Sequence, residues 1–251
     1  MSFHNRKKRI IEAVNKFESL TVMELSEKLE ISPATIRRDL HNIAGEGFLI
    51  RTHGGAMKLD DRPLTSFIKK QSANDANKQE IGKLAAKFVR EGDTIFLDCG
   101  STVYTMCHHL KKMSDLKVIT NSLPVIAELI DVPGISVNLI GGELDKKRKA
   151  IHGEKALNHI DSYHAHKAFV GVDGFSIENG LTAFSEKEAT ITKAFARNAD
   201  VVYLLCDSSK IGKDTYMKFA PLSMIHHLVT DKDLNPRKKK ALVKKGVEVE
   251  N

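Results

Sequence analysis

The chain has 251 residues, 41% of them hydrophobic and 28% charged, and carries a formal charge of +7 at pH 7. This length predicts about two domains, the composition is that of a globular rather than a disordered protein, and the basic excess suits a polyanionic partner. No apolar run reaches the ~18 residues that a membrane helix needs, no signal peptide is recognisable, and the three cysteines have no close spacing, so we expect a cytoplasmic protein without a membrane partner.

Three helical patterns follow one another near the N-terminus. Residues 5–16 place their apolar side chains on one face, and Thr21-Val22-Met23-Glu24 is a capping box that predicts the start of a second helix. After a short break at Glu30-Ile31, Ser32-Pro33 supplies the N-cap and first residue of a third helix. Two helices, a tight turn and a third helix are the order of a helix-turn-helix.

The third helix predicts a DNA-binding surface. Ile36, Leu40 and Ile43 fall on one face, which must be buried. The exposed face carries small side chains at its N-terminal turn, followed by the guanidinium groups of two neighbouring arginines. Guanidinium groups match a guanine edge or a phosphate. The alternative is an amphipathic helix whose arginines only face water. The residues expected to contact DNA are Ser32, Ala34, Thr35, Arg37, Arg38 and His41.

A strand pattern over residues 48–53 follows and ends at Gly54-Gly55. It carries Arg51 and His53 toward a glycine turn, which is the layout of a wing that touches the DNA backbone or minor groove. Helix-turn-helix and wing together favour DNA binding over a merely solvated helix. Residues 1–57 are therefore predicted to form a winged helix-turn-helix that binds double-stranded operator DNA.

Two segments of this region resemble the signature of DeoR-type bacterial transcriptional repressors, Thr35-Ile36-Arg37-Arg38-Asp39-Leu40 and Arg51-Thr52-His53-Gly54-Gly55-Ala56. The resemblance implies a C-terminal sensor domain, similar to ribose-5-phosphate isomerase, that binds a phosphorylated sugar or polyol. It also implies control of carbohydrate metabolism genes and a homodimer or homotetramer. The chain departs from the family at residues 16–20, where glycine is common between the first two helices.

The rest of the chain predicts a linker followed by an α/β domain. Residues 57–65 are polar and lack periodicity, so we assign 58–73 as a linker and connecting segment and 74–251 as the second domain. In the second domain short apolar runs alternate with helical patterns, which indicates a mainly parallel sheet covered by helices. The predicted strands are 94–97, 117–120, 136–140, 168–170, 201–205 and 227–230, and the predicted helices are 66–89, 104–110, 123–130, 186–198 and 236–245.

Polar or glycine-rich turns follow five of these strands, at the edge where open α/β sheets bind ligands. Hydroxyl groups and glycine amides there can donate to an anion, and the first turn leads into a helix N-terminus. Five such turns in register predict one anion-binding crevice. The residues assigned to it from these turns are Asp98, Gly100, Ser101, Thr102, Asn121, Ser122, Gly141, Gly142, Asp173, Gly174 and Lys210.

The same segments resemble the sensor domain of the DeoR family, and the resemblance implies roles for individual residues. The phosphate would be held by Gly100, Ser101 and Thr102. Asn121, Asp173 and Lys210 would contact the remainder of the ligand or close the pocket. Charged family positions near the site match Lys78 and Glu188, which adds Glu188 to the effector-binding set, whereas Lys70 replaces a usual arginine and His166 a common aspartate.

An isomerase-like enzyme that carries a DNA-binding domain is the main alternative. The related isomerase fold transfers protons with carboxylates and a lysine, and Asp98, Asp173, Glu188 and Lys210 supply such groups. The DNA-binding domain in front favours sensing, so we predict no catalytic residues. Neither phosphate-binding glycine motif of nucleotide enzymes occurs in the sequence.

No metal or other cofactor is expected. The segments Cys107-His108-His109 and His164-Ala165-His166 lack the ligand spacing of a zinc site. The basic run 237–240 is interpreted as a solvated helical face.

Overall fold

Residues 3–17, 19–45, 48–51, 54–58 and 67–251 are described by the structure, a computed structural model. Contacts divide the chain into two units, Met1–Arg62 and Pro63–Asn251. Among the described residues no helix combines the length and the apolar character that a membrane crossing requires. The boundaries assigned from the sequence, 1–57, 58–73 and 74–251, stay a prediction.

The N-terminal unit begins each helix where the sequence supplies a cap. Glu24 donates its backbone N–H to Thr21 Oγ1 at 3.2 Å, and Thr21 donates its own N–H to the Glu24 carboxylate at 2.7 Å, which completes the capping box. Glu30, in the left-handed conformation at φ 56°, ends that helix. The elements of this unit are α1 (Phe3–Phe17), β1 (Ser19–Thr21), α2 (Val22–Leu29), α3 (Pro33–Gly45), β2 (Leu49–Arg51) and β3 (Gly55–Lys58).

The strands of this unit form an antiparallel sheet in the order β1-β3-β2. The sequence predicted only the strand at 48–53, of which Leu49–Arg51 is observed and residues 52 and 53 lie outside the described residues. Strand β1 escaped prediction because three residues directly before a capping box show no alternation. Strand β3, the return strand of the wing, pairs with both other strands.

The helices of the N-terminal unit pack as the periodicity predicted. Ile36, Leu40 and Ile43 of α3 are fully buried in a cluster with apolar residues of α1 and α2. Asp39, only 1% exposed, accepts from Arg6 Nε at 2.6 Å and from Arg6 Nη2 at 3.1 Å. This ion pair joins α3 to α1, so Asp39 orients the helix and does not belong to its exposed face.

The second unit is an α/β domain whose elements match the predicted alternation, with additional short strands. Its helices are α4 (Phe67–Ser72), α5 (Asp75–Ala86), α6 (Ser101–Tyr104), α7 (Cys107–Leu110), α8 (Leu123–Leu129), α9 (Glu154–Ile160), α10 (Glu186–Arg197) and α11 (Pro236–Val243). Its strands are β4 (Thr94–Leu97), β5 (Leu116–Thr120), β6 (Ile135–Leu139), β7 (Glu143–Asp145), β8 (Ala150–His152), β9 (Ala165–Val170), β10 (Gly174–Ser176), β11 (Gly180–Ala183), β12 (Ala199–Leu205), β13 (Met217–Ala220), β14 (His227–Val229) and β15 (Glu248–Glu250).

A parallel sheet in the order β15-β14-β12-β9-β4-β5-β6 organises this domain. Successive residues of its strands enter different cores: Phe96 packs with α9 and α10, whereas Ile95 and Leu97 pack with α5 to α8. Burial on both faces explains why the predicted strands are continuous apolar runs without polar alternation. Because the strands are parallel, the turns that follow β4, β5, β6, β9 and β12 all leave the sheet at its carboxyl edge.

Several predicted elements differ from the observed ones. The helix predicted over 66–89 is broken into α4 and α5 at Asn74, which has φ 53°. The helix predicted over 104–110 is two short helices, α6 and α7. Gly174 lies not in a turn but at the start of β10, in a separate antiparallel sheet in the order β10-β11-β13. The hairpin of β7 and β8 and helix α9 were not predicted, because their polar and glycine-flanked residues lack a clear period.

Candidate functional site

The exposed face of α3 carries the residues predicted to contact DNA. Arg37 and Arg38 are exposed, on the side of the helix away from Ile36 and Leu40. Arg51 of β2 also reaches this face, because its Nη1 lies 3.3 Å from Nδ1 of His41. Ser32, Ala34 and His41 are exposed, Thr35 is half-buried, and His53 lies outside the described residues. The N-terminal unit thus presents helix and strand residues on one basic surface.

A cavity of about 590 Å³, part of it open to solvent, lies at the carboxyl edge of the parallel sheet. It forms where β4, β9 and β12 lie side by side. Of the residues predicted from sequence, those that line it are Asp98, Gly100, Ser101, Thr102, Asp173, Glu188 and Lys210. The structure adds to the lining Phe67, Lys70, Cys99, Arg148, Gly171, Val172, Ala183, Ala189, Thr192 and Phe219.

The turn after β4 offers donors to the cavity. Ser101 and Thr102 form the first turn of α6, where backbone amides have no carbonyl partner within the helix. Because α6 has only four residues, its dipole is small compared with the one that the predicted longer helix would supply. Positive charge at this site therefore has to come from side chains.

Asp98 serves mainly to hold the cavity together. Its carboxylate accepts from the N–H of Cys99 at 2.6 Å, from the N–H of Gly171 at 3.1 Å and from the Thr192 hydroxyl at 3.1 Å. These bonds tie the end of β4 to the end of β9 and to α10. Because its carboxylate already accepts these three hydrogen bonds, Asp98 shapes the pocket; its direct contact with the ligand stays a prediction.

Helix α4 brings Lys70 to Asp173 on the other side of the cavity. Lys70 Nζ lies 2.5 Å from Asp173 Oδ1, and the N–H of Phe184 donates to Asp173 Oδ2 at 3.0 Å. Burial acts to raise the pKa of Asp173, but the ammonium of Lys70 and these hydrogen bonds outweigh it and hold the pKa below its ordinary value. Asp173 is therefore ionised at neutral pH.

Arg148 also lines the cavity, although its position was not predicted from the sequence. It lies in the turn between β7 and β8 and pairs through both Nε and Nη2 with the Glu188 carboxylate. The side chains are 7% and 13% exposed. The signal available in the sequence was the basic run 146–149 directly after Gly141-Gly142, but a basic run in a loop is usually solvated.

Five predicted effector residues do not line the cavity. Asn121 and Ser122 bind the hairpin instead, through Asn121 Nδ2 to Ile151 O at 3.0 Å and through the bridge of Ser122 to Ala150. Asn121 and Ser122 follow β5, and Gly141 and Gly142 follow β6; both strands lie beyond β4 in the sheet, away from β9. The other three residues that fall outside the lining are Gly141, Gly142 and Gly174.

Two of the three glycines among these five, Gly142 and Gly174, have packing reasons. Gly142 has φ 150°, and a Cβ there would lie 2.6 Å from His152 O. At Gly174 a Cβ would lie 2.4 Å from Lys213 O. Backbone approaches this close exclude any side chain. Gly141 donates its N–H to His159 Nδ1 at 3.1 Å.

Two further lysines lie beside the cavity. Lys210 lines it and donates to Val172 O at 2.9 Å. Lys78, 3% exposed, donates to Lys70 O at the end of α4. Burial lowers the pKa of Lys78 to about 8, and Lys210 acts in the same direction. His166, by contrast, lies at the amino end of β9, where it accepts from the N–H of Thr94.

The low pKa of Lys78 predicts a measurable pH dependence of stability. Between pH 8 and 10.5 the unfolded chain keeps a proton that folded Lys78 has lost, so the free energy of unfolding rises with pH in this window. Relative to Lys78→Met, the wild type should gain about 3 kcal/mol across it. Urea denaturation of both proteins at several pH values measures this difference, and parallel curves would contradict it. Subtracting the two curves removes the effect of other titrating groups.

One group of metal-ligand side chains comes together among the described residues. His227, Glu248 and Glu250 have ligand atoms within 4.8 Å of one another on β14 and β15. Exposed acidic groups often cluster in this way without a metal. In the described part of the chain neither 107–109 nor 164–166 belongs to such a group.

Comparison with solved structures finds a limited likeness over about half of the chain. The ribose 5-phosphate isomerase A of Methanocaldococcus jannaschii aligns with a TM-score of 0.41 and 20% sequence identity, covering 55% of this chain and 55% of that one.

Comparison with protein families and curated proteins covers nearly the whole chain. Residues 6–62 match the DeoR-like helix-turn-helix domain and residues 73–232 the DeoR C terminal sensor domain. The uncharacterized HTH-type transcriptional regulator YulB of Bacillus subtilis is 36% identical over 97% of this chain and 95% of its own length. The lactose phosphotransferase system repressor of Lactococcus lactis is 34% identical over 94% of this chain and 94% of its own length. The glycerol-3-phosphate regulon repressor of Escherichia coli is 30% identical over 88% of this chain and 88% of its own length. With both domains matched in order, the chain belongs to the DeoR family of transcriptional regulators.

Proposed function

We propose that this protein is a cytoplasmic repressor of carbohydrate metabolism genes whose affinity for operator DNA is changed by a phosphorylated sugar or polyol. The observation that carries the proposal is the cavity at the carboxyl ends of β4, β9 and β12, where hydroxyls, helix-start amides and lysines meet. It occurs in the same chain as the basic surface of α3. Two relatives are named as repressors of a lactose phosphotransferase system and of a glycerol-3-phosphate regulon.

In this proposal operator DNA is contacted by α3 and the wing. Arg37 and Arg38 bind base edges or phosphates, and Arg51 and His41 extend the contact toward the wing. The exposure of these side chains supports the assignment. The remaining members of the proposed DNA-binding set are Ser32, Ala34, Thr35 and His53.

The effector phosphate is assigned to the turn Gly100-Ser101-Thr102, with Lys210 and Lys70 as the cations beside it. Amides, hydroxyls and ammonium groups are the donors that a phosphate dianion requires. Glu188 and Asp173 then face the remainder of the ligand. Asn121 and Ser122 support the β7–β8 hairpin and act on the ligand through it.

A sensor explains the cavity better than an isomerase does. Each group that could act as acid or base has a protein partner: Asp98 binds Gly171, Asp173 binds Lys70, Glu188 binds Arg148, and Lys210 binds Val172 O. A base with such a partner can still reach a substrate proton, so the preference for a sensor rests on the helix-turn-helix domain in the same chain. Absence of aldose–ketose conversion with sugar phosphates would agree with the sensor, and turnover would contradict it.

A homodimer or homotetramer completes the proposal, since helix-turn-helix repressors read paired half-sites. Light scattering of the purified protein measures the mass directly. A monomer at the concentrations that repress would contradict this part of the proposal.

The experiment that tests the effector is a thermal-shift panel of phosphorylated sugars and polyols, each beside its unphosphorylated parent. At 100 times its dissociation constant a ligand adds about 2.7 kcal/mol, which raises the melting temperature by several degrees at this size. We expect at least one phosphorylated compound to do so and its parent not to. If no phosphorylated compound raises the melting temperature, the effector assignment is wrong.

A further inference from the structure

Six basic side chains and no acidic one lie in residues 236–245, the segment that forms α11 and the beginning of the turn after it. The other 241 residues contain 33 basic and 32 acidic side chains, so this segment carries nearly all of the +7 formal charge of the chain. The N-terminal unit, Met1–Arg62, has eleven basic and nine acidic residues and is only weakly basic. The attraction of this protein for a polyanion is therefore concentrated on one helix of the second unit.

The folded helix places three of these charges on one exposed face. Leu242 is fully buried and marks the inward side of α11. The opposite side, at 100° per residue, carries Arg237, Lys240 and Lys244, all of them exposed. Successive members of this row are three and four residues apart, so each lies about one helical turn from the next and like charges are neighbours. These three residues form the basic face of α11.

No carboxylate of the protein compensates this face. Within the described residues none of its three side chains forms an ion pair. The two lysines between them bind uncharged oxygens: Lys238 donates to Ile211 O at 2.5 Å and Lys239 to Oδ1 of Asn251. The first turn of α11 contains no acidic residue either, although the positive end of the helix dipole favours anions there. Both arrangements are electrostatically unfavourable, and an anionic partner would relieve both.

Duplex DNA is the polyanion that the rest of the chain favours. The chain belongs to a family of transcriptional regulators with a helix-turn-helix domain, and once that domain holds its site, the neighbouring duplex is present at high effective concentration. A lipid surface fits less well. Val243 is the one large apolar side chain that the eight-residue helix exposes, so α11 has no apolar face to enter a membrane.

We propose that the basic face of α11 is a second DNA contact, which binds the phosphate backbone outside the operator without reading its sequence. Two of its three members are lysines, which present point charges rather than the fork that matches a base edge. The inference goes beyond the proposed function, in which only α3 and the wing contact DNA, and it rests on that contact to bring the duplex close. It also changes the interpretation of the run 237–240 from a solvated face to part of a binding surface.

The test measures fluorescence anisotropy of the full-length protein on two duplexes at several salt concentrations. One duplex is trimmed to the operator that the wild type selects, and the other adds random-sequence flanks on both sides. Each phosphate contact releases condensed counterions, so the wild type should bind the flanked duplex roughly tenfold more tightly at about 50 mM salt. Its slope of log affinity against log salt should be steeper on the flanked duplex by up to about three for each chain that contacts the flanks.

Two variants separate charge from fold. Arg237→Gln/Lys240→Gln/Lys244→Gln removes the basic face, so it should bind both duplexes with the affinity that the wild type has for the trimmed one. Arg237→Lys/Lys240→Arg/Lys244→Arg keeps the charges and should keep the preference for the flanked duplex, because a phosphate contact requires charge rather than one side chain. Unchanged melting temperatures verify that both variants fold.

The matched control is Lys112→Gln/Lys155→Gln/Lys193→Gln, which removes the same charge from exposed positions of the second unit. It should keep the preference for the flanked duplex. An equal loss in the control and in the glutamine variant of α11 would mean that net charge alone sets the affinity, and the proposal would be wrong. A preference for the flanks that persists in the glutamine variant would contradict it as well.

Further outcomes identify another partner or a failure elsewhere. If the glutamine variant loses binding to phosphatidylserine vesicles or to an RNA duplex but binds flanked DNA like the wild type, the basic face serves that partner and the DNA contact is refuted. If the wild type selects no duplex from a random library, the proposed operator contact fails. Random-sequence DNA then tests the basic face by itself, and equal affinities of wild type and glutamine variant would reject it.

Discussion

Replacement of both Arg37 and Arg38 by alanine is expected to weaken operator binding by about 1–3 kcal/mol for each arginine, so that Arg38→Ala alone lowers the affinity measurably and the pair nearly abolishes it. Both side chains are exposed on α3 and have no part in the core formed by Ile36, Leu40 and Ile43. Stability should therefore change by less than about 0.5 kcal/mol.

The measurement is fluorescence anisotropy with a duplex selected by the wild type from a random library. The matched control is Arg197→Ala/Arg237→Ala, which removes the same charge from exposed positions of the second unit. Loss of two phosphate or base contacts should also reduce the dependence of log affinity on log salt by up to about two. Unchanged affinity in the α3 variant would exclude this helix from the interface.

Neutralising the ion pair between α4 and the cavity is expected to remove the response of DNA binding to the effector. Helix α4 is the first described element after residues 59–66, and it carries both Phe67 and Lys70 into the cavity. A phosphate that enters the cavity competes with Asp173 for the Lys70 ammonium. This competition weakens the ion pair that joins α4 to Asp173. In the variant Lys70→Met/Asp173→Asn no such competition exists.

Allosteric effectors typically change affinity by 5- to 150-fold, and in the double variant we expect this ratio to fall close to one. The double change is used because Lys70→Met alone would leave the Asp173 carboxylate, 8% exposed, without its partner. Operator affinity is measured with and without saturating effector, and Lys70→Arg, which keeps the charge, should retain the response. A normal response in the neutral variant would show that coupling does not pass through this pair.

Much of the N-terminal unit follows from local features of the sequence. The capping box at Thr21 and the N-cap Ser32 lie next to the residues whose amides they satisfy, and a period of 3.6 places Ile36, Leu40 and Ile43 together. In the second unit the apolar runs mark the strands of a parallel sheet, because burial on both faces leaves little room for polar residues. Such signals act within a few residues and can be read from the chain alone.

The composition of the cavity depends on the order of the strands, which no local pattern contains. Because β4 lies beside β9 and β9 beside β12, the turns that hold Ser101, Asp173 and Lys210 meet, whereas the turns after β5 and β6 do not line the cavity. The partners that define the site are far apart in sequence: Arg148 with Glu188, and Lys70 with Asp173. Local sequence patterns are enough to predict the helix-turn-helix, the parallel sheet and the kinds of donors available to an anion. Which donors converge depends on the folded arrangement, since side chains 40 or 103 residues apart become neighbours through strand pairing and packing rather than through local periodicity.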